Sequence, residues 1–97
     1  MWKRMRGSMS KFYISDDGMF KNEKGELLKF YFTRHENKMV RINGRYESVG
    51  RLVYSNFVRK LKLGERVYHK NGDKQDFKSD NLTVKRHDSR RTNWTIE

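Results

Sequence analysis

Seven basic residues fall within 22 positions near the end of this 97-residue chain: Lys70, Lys74, Lys78, Lys85, Arg86, Arg90 and Arg91. Lysine meets phosphate as a point charge, and arginine meets two of its oxygens at once. Each phosphate neutralised in this way releases counterions, so the chemistry implied is salt-sensitive binding of a polyanion. Taken singly, each of these side chains reads as part of a solvated face; the inference belongs to the group. Among them stand His69, the turn Asn71-Gly72-Asp73, and Asn81. By composition alone His69 is an ordinary turn histidine, and Asn81 a residue that braces a loop.

The rest of the chain bears on the same point. Lys and Arg number 23 against 12 Asp and Glu, a formal net charge of +11 with a sequence pI near 10.1. The excess is spread throughout, with 11 basic and 6 acidic residues in 1–48 and 12 and 6 in 49–97. Nucleic acid is the first partner this suggests and an anionic membrane surface the second. There is no cysteine, which excludes a disulfide scaffold, an iron–sulfur cluster and a cysteine-ligated zinc site. No apolar run approaches the roughly 18 residues of a membrane span, and no apolar stretch of a secretory signal follows the basic start. The expectation is an intracellular, cytoplasmic protein with no membrane partner.

The length allows one small domain. Gly7-Ser8-Met9 reads as a cloning junction followed by a second start methionine, which would set residues 1–8 apart from a domain over 9–97. Without Lys3, Arg4 and Arg6 the net charge is +8. The other reading of residues 1–8 is a basic arm that touches phosphate.

Two stretches must position the cations. From 11 to 48 the pattern is of short strands and turns: Phe12-Tyr13-Ile14, the turn Ser15-Asp16-Asp17-Gly18, Met19-Phe20, the turn Asn22-Glu23-Lys24-Gly25, then strands over 27–33 and 39–42. Asn43-Gly44 predicts a hairpin that returns 45–48 onto 39–42. Together these make a small antiparallel sheet of roughly three to five strands. From 49 to 63 the period becomes helical: Leu52, Val53, Asn56, Phe57 and Leu61 share a face, Arg51, Arg59 and Lys62 stay in water, and Gly64 ends the helix. Short strands follow over 66–69 and 82–84, with a polar loop between them and a final short helix from Arg86. The expected core is Phe12, Ile14, Leu27, Phe30, Phe32, Val40, Ile42, Leu52, Val53, Phe57, Leu61, Val67, Leu82 and Val84. His35 reads as solvated in a loop, and Trp94 as packed on the sheet.

The run Val67-Tyr68-His69-Lys70-Asn71-Gly72-Asp73, continuing to Asp80-Asn81-Leu82, resembles the core of the HNH nuclease family, the ββα-metal fold. Gly50-Arg51-Leu52-Val53-Tyr54-Ser55-Asn56-Phe57 resembles the helix before that core in phage and homing-type members. The segment Phe12 through Gly18 is similar to their opening strand and turn. The resemblance spans residues 11–92. It implies an α+β fold: a small antiparallel sheet, a central amphipathic helix and a C-terminal ββα unit set against the DNA minor groove.

It also implies a chemistry. In the family a histidine acts as general base on water while Mg²⁺ or Mn²⁺ stabilises the charge on the phosphate and leaving oxygen. His69 matches the base and Asn81 the asparagine that fixes the loop. The metal ligands do not match. The residue before His69 is Tyr68, a poor donor for a hard cation, and the helix position falls on Arg90, which cannot ligate at all. Arg90 would instead attract phosphate where the ion would be. A register shift would bring His87 or Asp88 to the ligand position. Gly50 stands where many relatives carry histidine. The reading that follows is a phage-related DNA-binding protein on a degenerate HNH scaffold, without cofactor. The alternatives are an active nickase using His69, and an inhibitor of a host enzyme with an acidic protein partner.

Overall fold

The computed structural model describes residues 1–35 and 37–86. The described residues form two three-stranded antiparallel sheets, one α-helix and a two-stranded ribbon, an α+β architecture. Strands β1 (Trp2–Arg4), β2 (Phe12–Ser15) and β3 (Phe20–Asn22) make the first sheet. Strands β4 (Phe30–Phe32), β5 (Lys38–Ile42) and β6 (Arg45–Ser48) make the second. Helix α1 covers Val49–Phe57, and the ribbon pairs β7 (Glu65–His69) with β8 (Leu82–Arg86). Among the described residues no helix is long and apolar enough to cross a membrane.

The hairpin at Asn43-Gly44 forms as its chemistry requires. Both residues take positive φ, 54° and 79°, the pair a type I′ turn needs, and Ile42 faces Arg45 across it. The single sheet expected over 11–48 is instead two, because 23–29 does not pair as a strand. The Asn22 side chain accepts the Lys24 and Glu26 N–H groups, which curls the chain, and Leu27 makes only an isolated bridge to Lys21.

Residues 1–8, set apart in the sequence reading, are built into the domain. β1 pairs with β2 from Trp2↔Ser15 to Arg4↔Tyr13, Met5 is buried in the core, and Lys3 donates from Nζ to the Asn56 carbonyl at the end of α1. An alternating strand with one inward methionine next to it gives the first sheet a third strand that the junction-like Gly7-Ser8 disguises.

Ile14, Phe20, Val40, Ile42, Val49 and Val53 are fully buried, joined by Met5, Tyr54, Phe77 and Leu82. Phe12, Phe30, Leu52, Phe57, Leu61, Val67 and Val84 pack on this core while partly exposed. Two residues of the expected core are outside it: Leu27, 60% exposed in the curled segment, and Phe32, 57% exposed at the end of the short β4. Phe20 and Phe77 come from a three-residue strand and a polar loop, where no period marks them as inward.

Helix α1 opens on Ser48, whose hydroxyl accepts the Arg51 N–H, and stops at Phe57 rather than at 63. Glu65 organises the loop after it. Its carboxylate takes the Arg59 guanidinium at 2.9 and 2.8 Å and the Lys62 N–H at 2.7 Å, so that amide is bonded to a side chain instead of a helical carbonyl. Gly64, at φ 85°, turns this loop into β7 instead of closing a helix.

Two predictions follow from these contacts. Arg59, then the Lys62 amide, hold the Glu65 carboxyl at about 2, below its ordinary 4.5. A carboxyl depressed on folding adds stability that is complete above the unfolded value and lost as pH falls toward the folded one. Urea midpoints should therefore fall between pH 4.5 and about 2, with a shallower fall in Glu65→Gln. The second concerns Gly18, at φ +93°, where an added Cβ would stand 2.8 Å from Phe77 Cβ. Gly18→Ala combines left-handed strain with overpacking and should lower the unfolding free energy by about 2–4 kcal/mol in urea titration.

Candidate functional site

The ribbon β7–β8 sorts its side chains by alternation. Register runs from Glu65↔Arg86 to His69↔Leu82, so Val67, His69, Leu82 and Val84 share the face turned to the core. Arg66, Tyr68, Thr83 and Lys85 share the other. Tyr68 is 39% exposed, and the Lys85 ammonium lies 5.2 Å from its ring centroid. Adjacent in sequence, Tyr68 and His69 thus leave the strand on opposite faces.

His69 ends β7 half-buried, its ring edge-on to Phe77 at 4.9 Å and 81°. Its Nδ1 lies 2.9 Å from the Asp76 carbonyl oxygen. A carbonyl only accepts, so Nδ1 carries the proton and the neutral ring keeps its lone pair on Nε2. Asn81 donates from Nδ2 to the same carbonyl at 3.0 Å and to Asn71 Oδ1 at 3.1 Å. Asn81 also accepts the Asn71 N–H, while its backbone carbonyl accepts the Lys70 N–H at 2.7 Å. Inside the loop, Asn71 and Asp73 accept the N–H groups two residues ahead. The Ser79 N–H donates to the Asp16 carbonyl at 2.7 Å, so the loop is tied to the turn after β2.

A cleft of about 790 Å³ opens beside His69, between β7, the start of α1 and the residues Thr33, Asn37, Lys38 and Met39. Its lining includes Lys38, Arg51, Arg66 and Lys74 with Tyr68, His69 and Phe77, and no aspartate or glutamate among the described residues. Arg51 is steadied by donating from Nη1 to the Glu65 carbonyl at 3.1 Å. The Lys38 ammonium lies 4.0 Å from the Phe30 ring centroid and 5.2 Å from that of Phe77. Burial pushes its pKa down, against the opposing pull of Asp17. Gly50 is buried in the floor, where an added Cβ would meet Val67 and Phe77 at 3.6 and 3.7 Å.

The structure brings His69, Asn81 and Lys74 to one place, with Lys70, Lys78 and Lys85 exposed around the ribbon and its loop. Arg86 ends β8, while His87, Asp88, Arg90, Arg91 and Trp94 lie outside the described residues, as does the expected final helix. Sequence reasoning missed Lys38, Arg51 and Arg66 as cleft residues. Arg51 reads as water-facing by period, Arg66 only as the start of a short strand, and Lys38 is joined to the site only by folding. Tyr68, the family ligand position, stands with Arg66 and Lys85, and no group of three or more His, Cys, Asp or Glu forms among the described residues.

The hydrogen-bond pattern makes a direct prediction. Long-range ¹H–¹⁵N correlation of neutral His69 should show the Nδ1–H tautomer. Asn81→Ala should lower stability by about 1–3 kcal/mol, since it strips partners from Asn71 and the Asp76 carbonyl together. An Nε2–H tautomer in the parent would contradict the assignment.

No family model matches this chain, and neither does any curated protein. A solved structure does: the HNH homing endonuclease I-HmuI, a protein that binds and cleaves DNA, superposes with a TM-score of 0.75 at 22% identity. The match covers 100% of this chain and 61% of that one, so the chain spans about three-fifths of the endonuclease's length. The likeness is one of architecture, and by it the chain has an HNH-like fold.

Proposed function

We propose that this domain binds DNA through its phosphates at the His69 cleft and does not cut it. The observation that carries the reading is the cleft lining: four cationic side chains from four separate segments, and no carboxylate among the described residues. Such a cleft focuses positive potential and favours a polyanion. The exposed Lys70, Lys78 and Lys85 extend that field along the ribbon and loop. The HNH-like fold, in a neighbour that binds DNA, agrees with the choice of polyanion. Tyr68, which lines the cleft beside His69 with a neutral phenol where a carboxylate would serve a hard cation, supports binding without metal-assisted cleavage.

One observation favours a second reading. With Nδ1–H fixed on the Asp76 carbonyl, His69 holds an unprotonated Nε2, the arrangement of a general base, and an active nickase would use it. The expected inhibitor with an acidic protein partner has no comparable observation behind it.

Duplex binding and plasmid nicking separate these readings. Arg66→Gln and Lys74→Gln should each weaken duplex binding and reduce the slope of log K against log salt by roughly one unit. Supercoiled plasmid should stay intact with Mg²⁺ or Mn²⁺ at protein concentrations that saturate it. Metal-dependent nicking by the parent but not by His69→Ala would replace this proposal with the second reading.

A further inference from the structure

The second sheet has an outward face that the core does not use and that the cleft reaches only at Met39. Alternation turns Phe30, Val40 and Ile42 inward and leaves Tyr31, Arg41 and Tyr46 on the other side. Tyr31 is 40% exposed and Tyr46 56%. The two rings meet edge to face at 5.3 Å and 86°, a packing in which an edge covers one ring face and leaves others open. Arg41 lies opposite Tyr46 in the register, its guanidinium 5.7 Å from that ring. Among the described residues no carboxylate is within ion-pair distance of Arg41. A hollow of about 560 Å³ adjoins it, bordered by Leu27, Lys29, Tyr31 and Arg41. Glu26 also borders the hollow, its carboxylate accepting the Asn22 amide.

This face is continuous with the cleft. Met39 shares the side of the sheet that carries Tyr31 and Arg41, and it also lines the cleft beside His69. From Met39 to Arg41 along β5 is a step of about 7 Å, a distance a single nucleotide spans. Open aromatic rings beside an unpaired guanidinium suit a ligand that is flat and anionic by turns. An unpaired nucleic-acid strand has that chemistry, offering π faces to the rings and phosphates to the cations. A duplex keeps its base faces stacked inside and would use only the charge.

We propose that the outward face of β4–β6 binds an unpaired strand leaving the cleft, with bases stacked on Tyr31 and Tyr46 and a phosphate on Arg41. The proposal extends the DNA-binding reading of the cleft from duplex to a junction between duplex and single strand.

Fluorescence anisotropy with three labelled DNAs tests it: a blunt duplex, the same duplex with a 5′ or 3′ thymidine tail, and the tail oligonucleotide alone. The parent should bind one of the tailed duplexes about tenfold or more tighter than the blunt one. Tyr31→Ala and Tyr46→Ala should remove that gain and leave blunt-duplex affinity unchanged, while Tyr46→Phe keeps it. Equal affinity of the parent for blunt and tailed DNA would overturn the proposal, as would a gain that survives both alanine variants. Binding of the free tail, lost in the alanine variants, with no binding of blunt duplex would support the stacking face while overturning the cleft reading.

Discussion

The carbonyl oxygen of Asp76 is the atom on which the site depends. It accepts the His69 Nδ1–H and the Asn81 Nδ2–H together, so one backbone group sets the histidine tautomer and fixes the asparagine that closes the loop. A half-buried carbonyl with both lone pairs used has no reason to rotate. Phe77, the next residue, then fixes the ring plane of His69 and fills the space under Gly18. A single dipeptide thus connects the ribbon, the loop and the turn of the first sheet. The tie from Ser79 to Asp16 reinforces the same junction.

Around this rigid centre the electrostatics run one way. Lys38 arrives from the second sheet, Arg51 from the helix, Arg66 from the ribbon and Lys74 from the loop. Holding like charges beside one cleft opposes folding, and a thin core has little stability with which to offset it. The structure reduces the strain locally: aromatic rings lie under Lys38, and a backbone carbonyl takes Arg51. The remaining repulsion is what an anionic ligand would relieve.

Glu65 works in the opposite sense. It is the acid that organises the loop after the helix, by taking Arg59 and the Lys62 amide, and its own carbonyl steadies Arg51 at the mouth of the cleft. A helix continued to residue 63, as its apolar spacing suggests, would have to release the Lys62 amide from Glu65.

By itself the sequence determined the local elements whose signals lie within a few residues: the Asn43-Gly44 hairpin, the amphipathic start of α1, the polar loop, and the strand containing His69. Turn geometry and alternation are short-range effects, and they are legible without a fold. The pairing of His69 with Asn81 was legible through family resemblance, and the structure brings the two to one carbonyl. Three things were decided only in three dimensions. Trp2–Arg4 joined the first sheet, since a short strand gains its stability from its neighbour and not from its own pattern. The 23–29 segment curled because the Asn22 side chain competed with the ladder, splitting one expected sheet into two and exposing Leu27. The cleft took Lys38, Arg51 and Arg66, because a site assembled from separated segments is defined by packing, and charge on a sequence does not say which cations will meet.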